Sequence, residues 1–354
     1  MSWIEQIARR IPLRENVALY RKRFVIVFLI IFALLAWQLK RQLDSRPPEV
    51  LLNLVLDAFK PALIELDRVW STPDRRVAST FAGSIHQTAA LAQGLVADTI
   101  CVSSPGELDY LSQAQIGLVA PDWRLRFPEN SSPFTSSIVF LVRRSAAGEI
   151  QDWPDLFQAN RRIAVPDPHI SGAGQYAYLA LIHYTEQSVG SYPLKIAESL
   201  RPIQFLPYAA SRSSEVFLRD TQYDALLTWE SEAQRILSEP DNSDFVIVYP
   251  SFSLQIEVVV AIAEAQVERR GTREAAEDYL RFFFSPEGQR IIETAGFRPR
   301  DALYNATRPP PPSTLHTVEA LFGSWQQARE LHLSPNGSLA RLLAYRQARS
   351  GGTE

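Results

Sequence analysis

Cysteine, histidine and surplus positive charge are all scarce in this chain of 354 residues, and each scarcity removes a class of function. A single cysteine, Cys101, leaves no internal disulfide and no cysteine-based zinc cluster. No cysteine stands just after the N-terminal apolar run, so a lipid-anchor cysteine is not expected either. Cys101 itself lies in Ala97-Asp98-Thr99-Ile100-Cys101-Val102 and reads as a buried strand residue. The five histidines, His86, His169, His183, His316 and His332, are scattered without metal-ligand spacing, so no metal is expected. Lys and Arg number 36 against 39 Asp and Glu, a net charge of −3, and no basic stripe alternates with aromatics. That argues against a nucleic-acid partner. Neither a Gly-x-Gly-x-x-Gly fingerprint nor a Walker loop is present, so nucleotides lack their usual cradle and no cofactor is expected. There is no Gly-x-Ser-x-Gly elbow and no His-Glu-x-x-His. Ser84 and His86 are two apart at a helix start without a third partner, and Glu230 and Glu232 read as first-turn helix charges. The chain does not read as an enzyme.

What is present begins with a charge-free run. Residues 24–39 (FVIVFLIIFALLAWQL) lie between Arg21-Lys22-Arg23 and Lys40-Arg41. As a helix this run rises ~24 Å, slightly short of a ~30 Å hydrocarbon core, and flanking Lys and Arg can snorkel. A cleaved signal peptide competes with this reading, but no Ala-x-Ala pair follows and the preceding segment is long for a signal. The expectation is therefore one uncleaved transmembrane anchor. Arg9, Arg10, Arg14, Arg21, Lys22 and Arg23 outweigh Lys40, Arg41 and Arg46 and keep residues 1–23 in the cytoplasm. The binding portion then faces the periplasm.

Beyond a linker at residues 40–48, strand and helix patterns alternate. The continuous apolar run 50–56 suits a strand buried on both faces of a parallel sheet. Strands are expected at 77–81, 98–103, 138–142, 162–166, 204–206, 224–229, 246–249 and 258–262. Helices are expected at 58–70, 85–95, 175–184, 230–237, 272–284 and 286–295, with another ending at Leu218. A stiff proline tether at 309–312 leads into one amphipathic helix over 315–331. The pattern implies an α/β fold in two lobes. Lobe 1 takes residues 49–137 with 252–345, lobe 2 takes 138–251, and 346–354 form a tail.

One local feature recurs: a strand, a turn of small residues, then a helix. It occurs at Asp57, Gly83-Ser84, Ser171-Gly172-Ala173 and Ala210-Ser211. Helix starts offer unpaired N–H groups and the positive end of the peptide dipole, and small residues let an anion come close. Ser and Asp are also ordinary helix caps, so no single turn is diagnostic. Four converging on one cleft would make an anion site without Lys or Arg.

The ordered motifs resemble a known family. Asn130-Ser131-Ser132-Pro133-Phe134-Thr135, Pro121-Asp122-Trp123, Asp152-Trp153-Pro154-Asp155, Leu227-Thr228-Trp229-Glu230 and Phe297-Arg298-Pro299-Arg300-Asp301 are similar, in the same order, to motifs of bacterial sulfate- and thiosulfate-binding proteins of ABC importers. The resemblance implies a type II periplasmic-binding-protein fold, two α/β lobes joined by crossover strands and closing over a dehydrated oxyanion. It implies sulfate or a close tetrahedral oxyanion such as thiosulfate as ligand, and an importer permease as partner. By the same resemblance Asp57, Ser84, Gly172, Ala173 and Ala210 supply backbone donors, Ser171 a hydroxyl and Trp229 its indole N–H. Ile85, His86 and Arg212 place bulkier groups beside these turns than the family carries. A membrane-anchored sensory or adaptor protein of the same fold, with weak or lost anion binding, is the alternative.

Overall fold

The computed structural model describes residues 13–44, 49–114, 117–300 and 314–350. The chain divides into two units, Met1–Glu49 and Val50–Glu354. The proline tether at 309–312, part of the linker and the last residues of the tail lie outside the described residues.

The first unit is one helix, α1 (Leu13–Asp44). Its large apolar side chains are exposed along the whole run, from Phe24 at 74% to Leu39 at 59%. Among the described residues no helix is long and apolar enough to cross a membrane, so the span expected over residues 24–39 stands unsupported by the fold. The helix itself is 32 residues long, and its charge-free stretch rises ~24 Å against a ~30 Å hydrocarbon core.

The second unit is built on one hydrogen-bonded path of strands, β2-β1-β3-β9-β4-β7-β5-β6. These are β1 (Glu49–Leu56), β2 (Arg75–Ala82), β3 (Thr99–Val102), β4 (Phe134–Arg143), β5 (Ile163–Pro166), β6 (Ile203–Leu206), β7 (Ala225–Trp229) and β9 (Phe252–Ile262), while β8 (Phe245–Val248) lies off the path and pairs with β4. Two short strands, β10 (Arg298–Pro299) and β11 (Thr314–His316), pair with β4 and β9. β1 and β3 are parallel, as are β5 with β6 and β5 with β7. That accounts for their unbroken apolar runs, since helices cover both faces of a parallel sheet. β4 joins the two halves of the path. Phe134 to Ser137 pair antiparallel with β9, and Ile138 to Val142 pair antiparallel with β7. β9 then returns the chain to β3, with Cys101 opposite Val260.

The core is continuous around this joint. Phe59, Phe134 and Phe297 pack in tilted and edge-on pairs with centroids 4.3, 4.6 and 5.4 Å apart, and all three are at most 1% exposed. Each such burial contributes ~1.5–3 kcal/mol. Cys101 is fully buried, and burial pushes its thiol pKa well up.

The helices that matter for function are α2 (Lys60–Trp70), α3 (Ser84–Ala92), α4 (Pro105–Ala114), α5 (Gly172–Val189), α6 (Ala210–Arg219) and α7 (Glu230–Leu237). Several elements differ from the sequence reading, helices Pro193–Ser199, Glu264–Arg270 and Ser338–Ser350 among them, and three of the differences bear on the site. α3 stops at Ala92 rather than 95, just before Gly94 at φ +99°. α4 was not expected at all. The single helix expected over 315–331 is β11 followed by two short helices, α8 (Val318–Phe322) and α9 (Trp325–Ala328), and a π-turn over Arg329–Leu333. The break has a local cause: Gly323 sits at φ +80°, and the Ser324 hydroxyl caps the new start by accepting from Gln327 N–H at 3.1 Å. A last helix, α10 (Ser338–Ser350), ends the described chain.

Candidate functional site

The C-terminal ends of β1, β2, β3, β5, β6 and β7 gather around one tight cavity of about 10 Å³. This is where ligands sit in open α/β sheets, because the crevice there is ringed by helix starts. Its walls contain all seven residues singled out from the sequence: Asp57, Ser84, Ser171, Gly172, Ala173, Ala210 and Trp229. Leu56, Ala58, Gly83, Ser103 and Ala209 line it too, and none of these described residues is Arg or Lys.

Each helix start leaves N–H groups outside its own ladder. In α3 the first α-helical bond is Gln87 N–H to Gly83 C=O, which leaves Ser84 to His86. In α5 it is Gln175 N–H to Ser171 C=O, and Gly174 N–H goes to Ser171 Oγ at 3.3 Å, leaving Gly172 and Ala173. In α6 it is Ser213 N–H to Ala209 C=O, leaving Ala210 to Arg212. Ser171 accepts with its oxygen, so its hydroxyl hydrogen remains available. Trp229 caps α7 and is 2% exposed. Its Nε1 is buried and has no hydrogen-bond partner among the described residues. A buried, unpaired N–H costs ~1–3 kcal/mol, so this donor needs an acceptor.

The two sides of the cavity touch through glycine. A Cβ on Gly172 would lie 2.2 Å from Ser103 Oγ, and one on Gly83 would lie 3.0 Å from Ile170 C=O. Only the missing side chains let these turns approach.

Two carboxylates belong to the site. Asp57 lines the cavity, and burial raises its pKa above the ordinary value; the Ala58 N–H opposes this by bonding the ionised form, while Glu232 adds to the rise. Glu107, which the sequence reading missed with its helix, lies 2% exposed on α4. Its Oε1 accepts from Ser84 Oγ (2.6 Å) and Thr88 Oγ1 (3.1 Å), and its Oε2 from Ser103 Oγ (2.7 Å) and Ser104 Oγ (3.1 Å). The Ser84 oxygen also accepts from Ser103 N–H at 3.0 Å. The Ser84 hydroxyl is thus committed to the protein, and what Ser84 offers the cavity is its backbone N–H. A sequence clue to Glu107 existed in Ser103-Ser104-Pro105-Gly106-Glu107, a cap, a first-turn proline and an early acid.

Glu230 is not a solvated first-turn charge. It is 1% exposed and held by Arg298 through two bonds of 2.6 and 2.7 Å, with Tyr249 OH donating at 3.0 Å. This clamp fixes the first turn of α7 directly after Trp229. Its partner is 68 residues away in sequence, so no local pattern announced it.

A larger cavity of about 240 Å³ contains Arg126, Arg273 and Arg281. Each is ion-paired to a neighbouring acid: Asp122 for Arg126, Glu264 and Glu268 for Arg273, and Glu277 for Arg281. Their charge is spent within the protein. Among the described residues no group of three or more His, Cys, Asp or Glu is placed to hold a metal ion.

The small cavity therefore presents neutral donors and helix dipoles, groups suited to a compact anion. Comparisons with known proteins agree with this chemistry. A family model described as bacterial extracellular solute-binding protein matches residues 52–298. A thiosulfate-binding protein of Pseudomonas aeruginosa is 34% identical over 260 residues, 72% of this chain and 78% of that protein. A sulfate-binding protein of Escherichia coli is 33% identical over 269 residues, 73% and 80% of the two chains. In structure, the sulfate-binding protein SubI from Mycobacterium tuberculosis superposes at a TM-score of 0.69 and 21% identity, covering 80% of this chain and 98% of that one. A periplasmic thiamin binding protein gives 0.63 at 17% identity, covering 81% and 96%.

Proposed function

Because the chain belongs to the sulfate- and thiosulfate-binding family of bacterial extracellular solute-binding proteins, we propose that it captures sulfate or a close tetrahedral oxyanion and delivers it to an ABC importer. The role is binding rather than catalysis. The Trp229 indole N–H, the Ser171 hydroxyl and the first-turn N–H groups of α3, α5 and α6 surround the ion, and Asp57 contributes through its backbone. Each N–H to a charged ligand contributes ~1.5–3 kcal/mol. Lobes 49–137 with 252–345 and 138–251 close on the ion about β4 and β9 and exclude water. The observation that carries this reading is the buried, unpartnered Nε1 of Trp229 in a cavity without a cation in its wall. A thermal-shift panel of sulfate, thiosulfate, molybdate and chloride tests it: the reading requires stabilisation by a tetrahedral dianion and none by chloride.

One observation favours a second reading, an adaptor or sensor of the same fold with weak binding. The Asp57 carboxylate lines the cavity with no cation beside it and opposes a dianion. No stabilisation by any oxyanion, together with a co-purifying membrane partner, would select it.

The N-terminal helix, in this proposal, tethers the protein to the bacterial inner membrane with residues 1–23 in the cytoplasm and the binding unit in the periplasm. The support is the exposure of Phe24 to Leu39, an apolar surface that water does not favour. Mass spectrometry of the membrane fraction should find the N-terminus uncleaved; a mature terminus near residue 40 would refute the tether.

A further inference from the structure

The segment after β11 crosses from one side of the cavity to the other. Gly323 and Ser324 break it so that Trp325, at the start of α9, turns inward and is 3% exposed. On one side Trp325 presses on α4: a Cβ on Gly106 would lie 2.4 Å from Trp325 Cβ and 2.5 Å from its Cγ. Arg329, a turn later, donates Nη1 to Gly106 C=O at 3.1 Å. On the other side the Trp325 ring meets Tyr176 edge-on, centroids 5.0 Å apart at 80°, and Tyr176 is 1% exposed on α5. Both contacts lie one step from the cavity. Gly106 precedes Glu107, which holds Ser84 and Ser103; Tyr176 is in the first turns of the helix that begins at Gly172.

One side chain thus touches both elements whose tips, Ser103 and Gly172, meet across the cavity. We propose that residues 317–333 are a strap and Trp325 its latch, a positioning residue that holds α4 and α5 at the separation where the two tips meet. Through that separation it sets how long a bound oxyanion is retained. The ligand in this inference rests on the function proposed above; the strap itself does not. Separating the two sides breaks one set of Trp325 contacts, so that loss adds to the barrier for opening and slows release without changing entry.

The test uses the full-length chain in detergent. Trp325→Ala removes the latch but also a buried indole, and so risks the fold. Gly106→Ala pushes the latch from the α4 side, and Arg329→Met removes the hydrogen bond to Gly106 together with the guanidinium over the Trp325 ring, 5.9 Å from its centroid. Dissociation of ³⁵S-sulfate should accelerate about tenfold or more in Gly106→Ala and about threefold in Arg329→Met, with association within twofold of wild type. Unchanged dissociation in both folded variants, or a loss confined to association, overturns the latch. Hydrogen exchange without ligand provides an independent arm. Amides of 103–107 and 172–176 should both exchange at least about tenfold faster in Gly106→Ala; a change confined to 317–333 overturns the proposal. If wild type binds no sulfate, the ligand assignment fails while the exchange result still decides the strap.

Discussion

Replacing Trp229 by Phe isolates one hydrogen. The ring stays in the cavity wall and the donor goes. Nε1 is buried and unpaired among the described residues, an arrangement that costs ~1–3 kcal/mol, so deleting the N–H relieves that cost while the smaller ring loses some packing. The two effects oppose, and the melting temperature of the ligand-free form should move by only a few degrees. Binding has no such compensation. An N–H to a charged acceptor contributes ~1.5–3 kcal/mol, so sulfate affinity should fall by about 10- to 150-fold. Titration calorimetry of wild type and variant at equal pH and salt reads this directly. A second substitution separates donor from shape: benzothienylalanine at 229 keeps the bicyclic outline and places sulfur where N–H was. It should weaken binding as Phe does. If affinity stays within twofold in both, Trp229 does not contact the ligand, and an account built on an orphaned donor is wrong. If benzothienylalanine binds normally and Phe does not, packing is the cause.

Further outcomes follow from the same geometry. Burial raises the Asp57 pKa above its ordinary 3.8, and its charge opposes a dianion, so binding should take up a proton. Sulfate affinity should therefore rise as the pH is lowered toward the raised Asp57 pKa, and Asp57→Asn should flatten that slope; affinity that falls on acidification contradicts the assignment. Gly172→Ala drives a Cβ to within 2.2 Å of Ser103 Oγ, whose hydroxyl is tied to Glu107, and should weaken sulfate binding at least about tenfold in equilibrium dialysis. Adding Ser103→Gly should recover most of it; no recovery would place the clash elsewhere. Cys101 is fully buried with its thiol pKa pushed up, so maleimide should not label the native protein and should label it in denaturant.

The site was more legible in the sequence than the parts that brace it. Asp57, Ser84, Ser171 and Ala210 each follow an apolar run and open a helix, so local chemistry marks them, and the structure brings them to one cavity. Trp229 stood out only through family resemblance, since a Trp ending a strand is otherwise a core residue. Ser103, Glu107 and their helix were missed because Ser-Ser-Pro-Gly reads as a loop and Pro105–Ala114 shows little apolar periodicity. Glu230 looked like a dipole-complementing surface charge because its partner Arg298 is distant in sequence. The strap was read as one helix because its apolar spacing carries on through Gly323, while the turn there depends on a single positive φ.

The central claim is that neutral donors around this cavity hold a tetrahedral dianion. Isothermal titration of the full-length chain with sulfate tests it most directly. The account requires one site per chain with a Kd of about 10 μM or tighter, little changed between low and moderate salt because no Lys or Arg lines the wall. No heat and no shift in melting temperature up to about 10 mM sulfate would contradict it, since that limit leaves less than ~3 kcal/mol for all the donors combined.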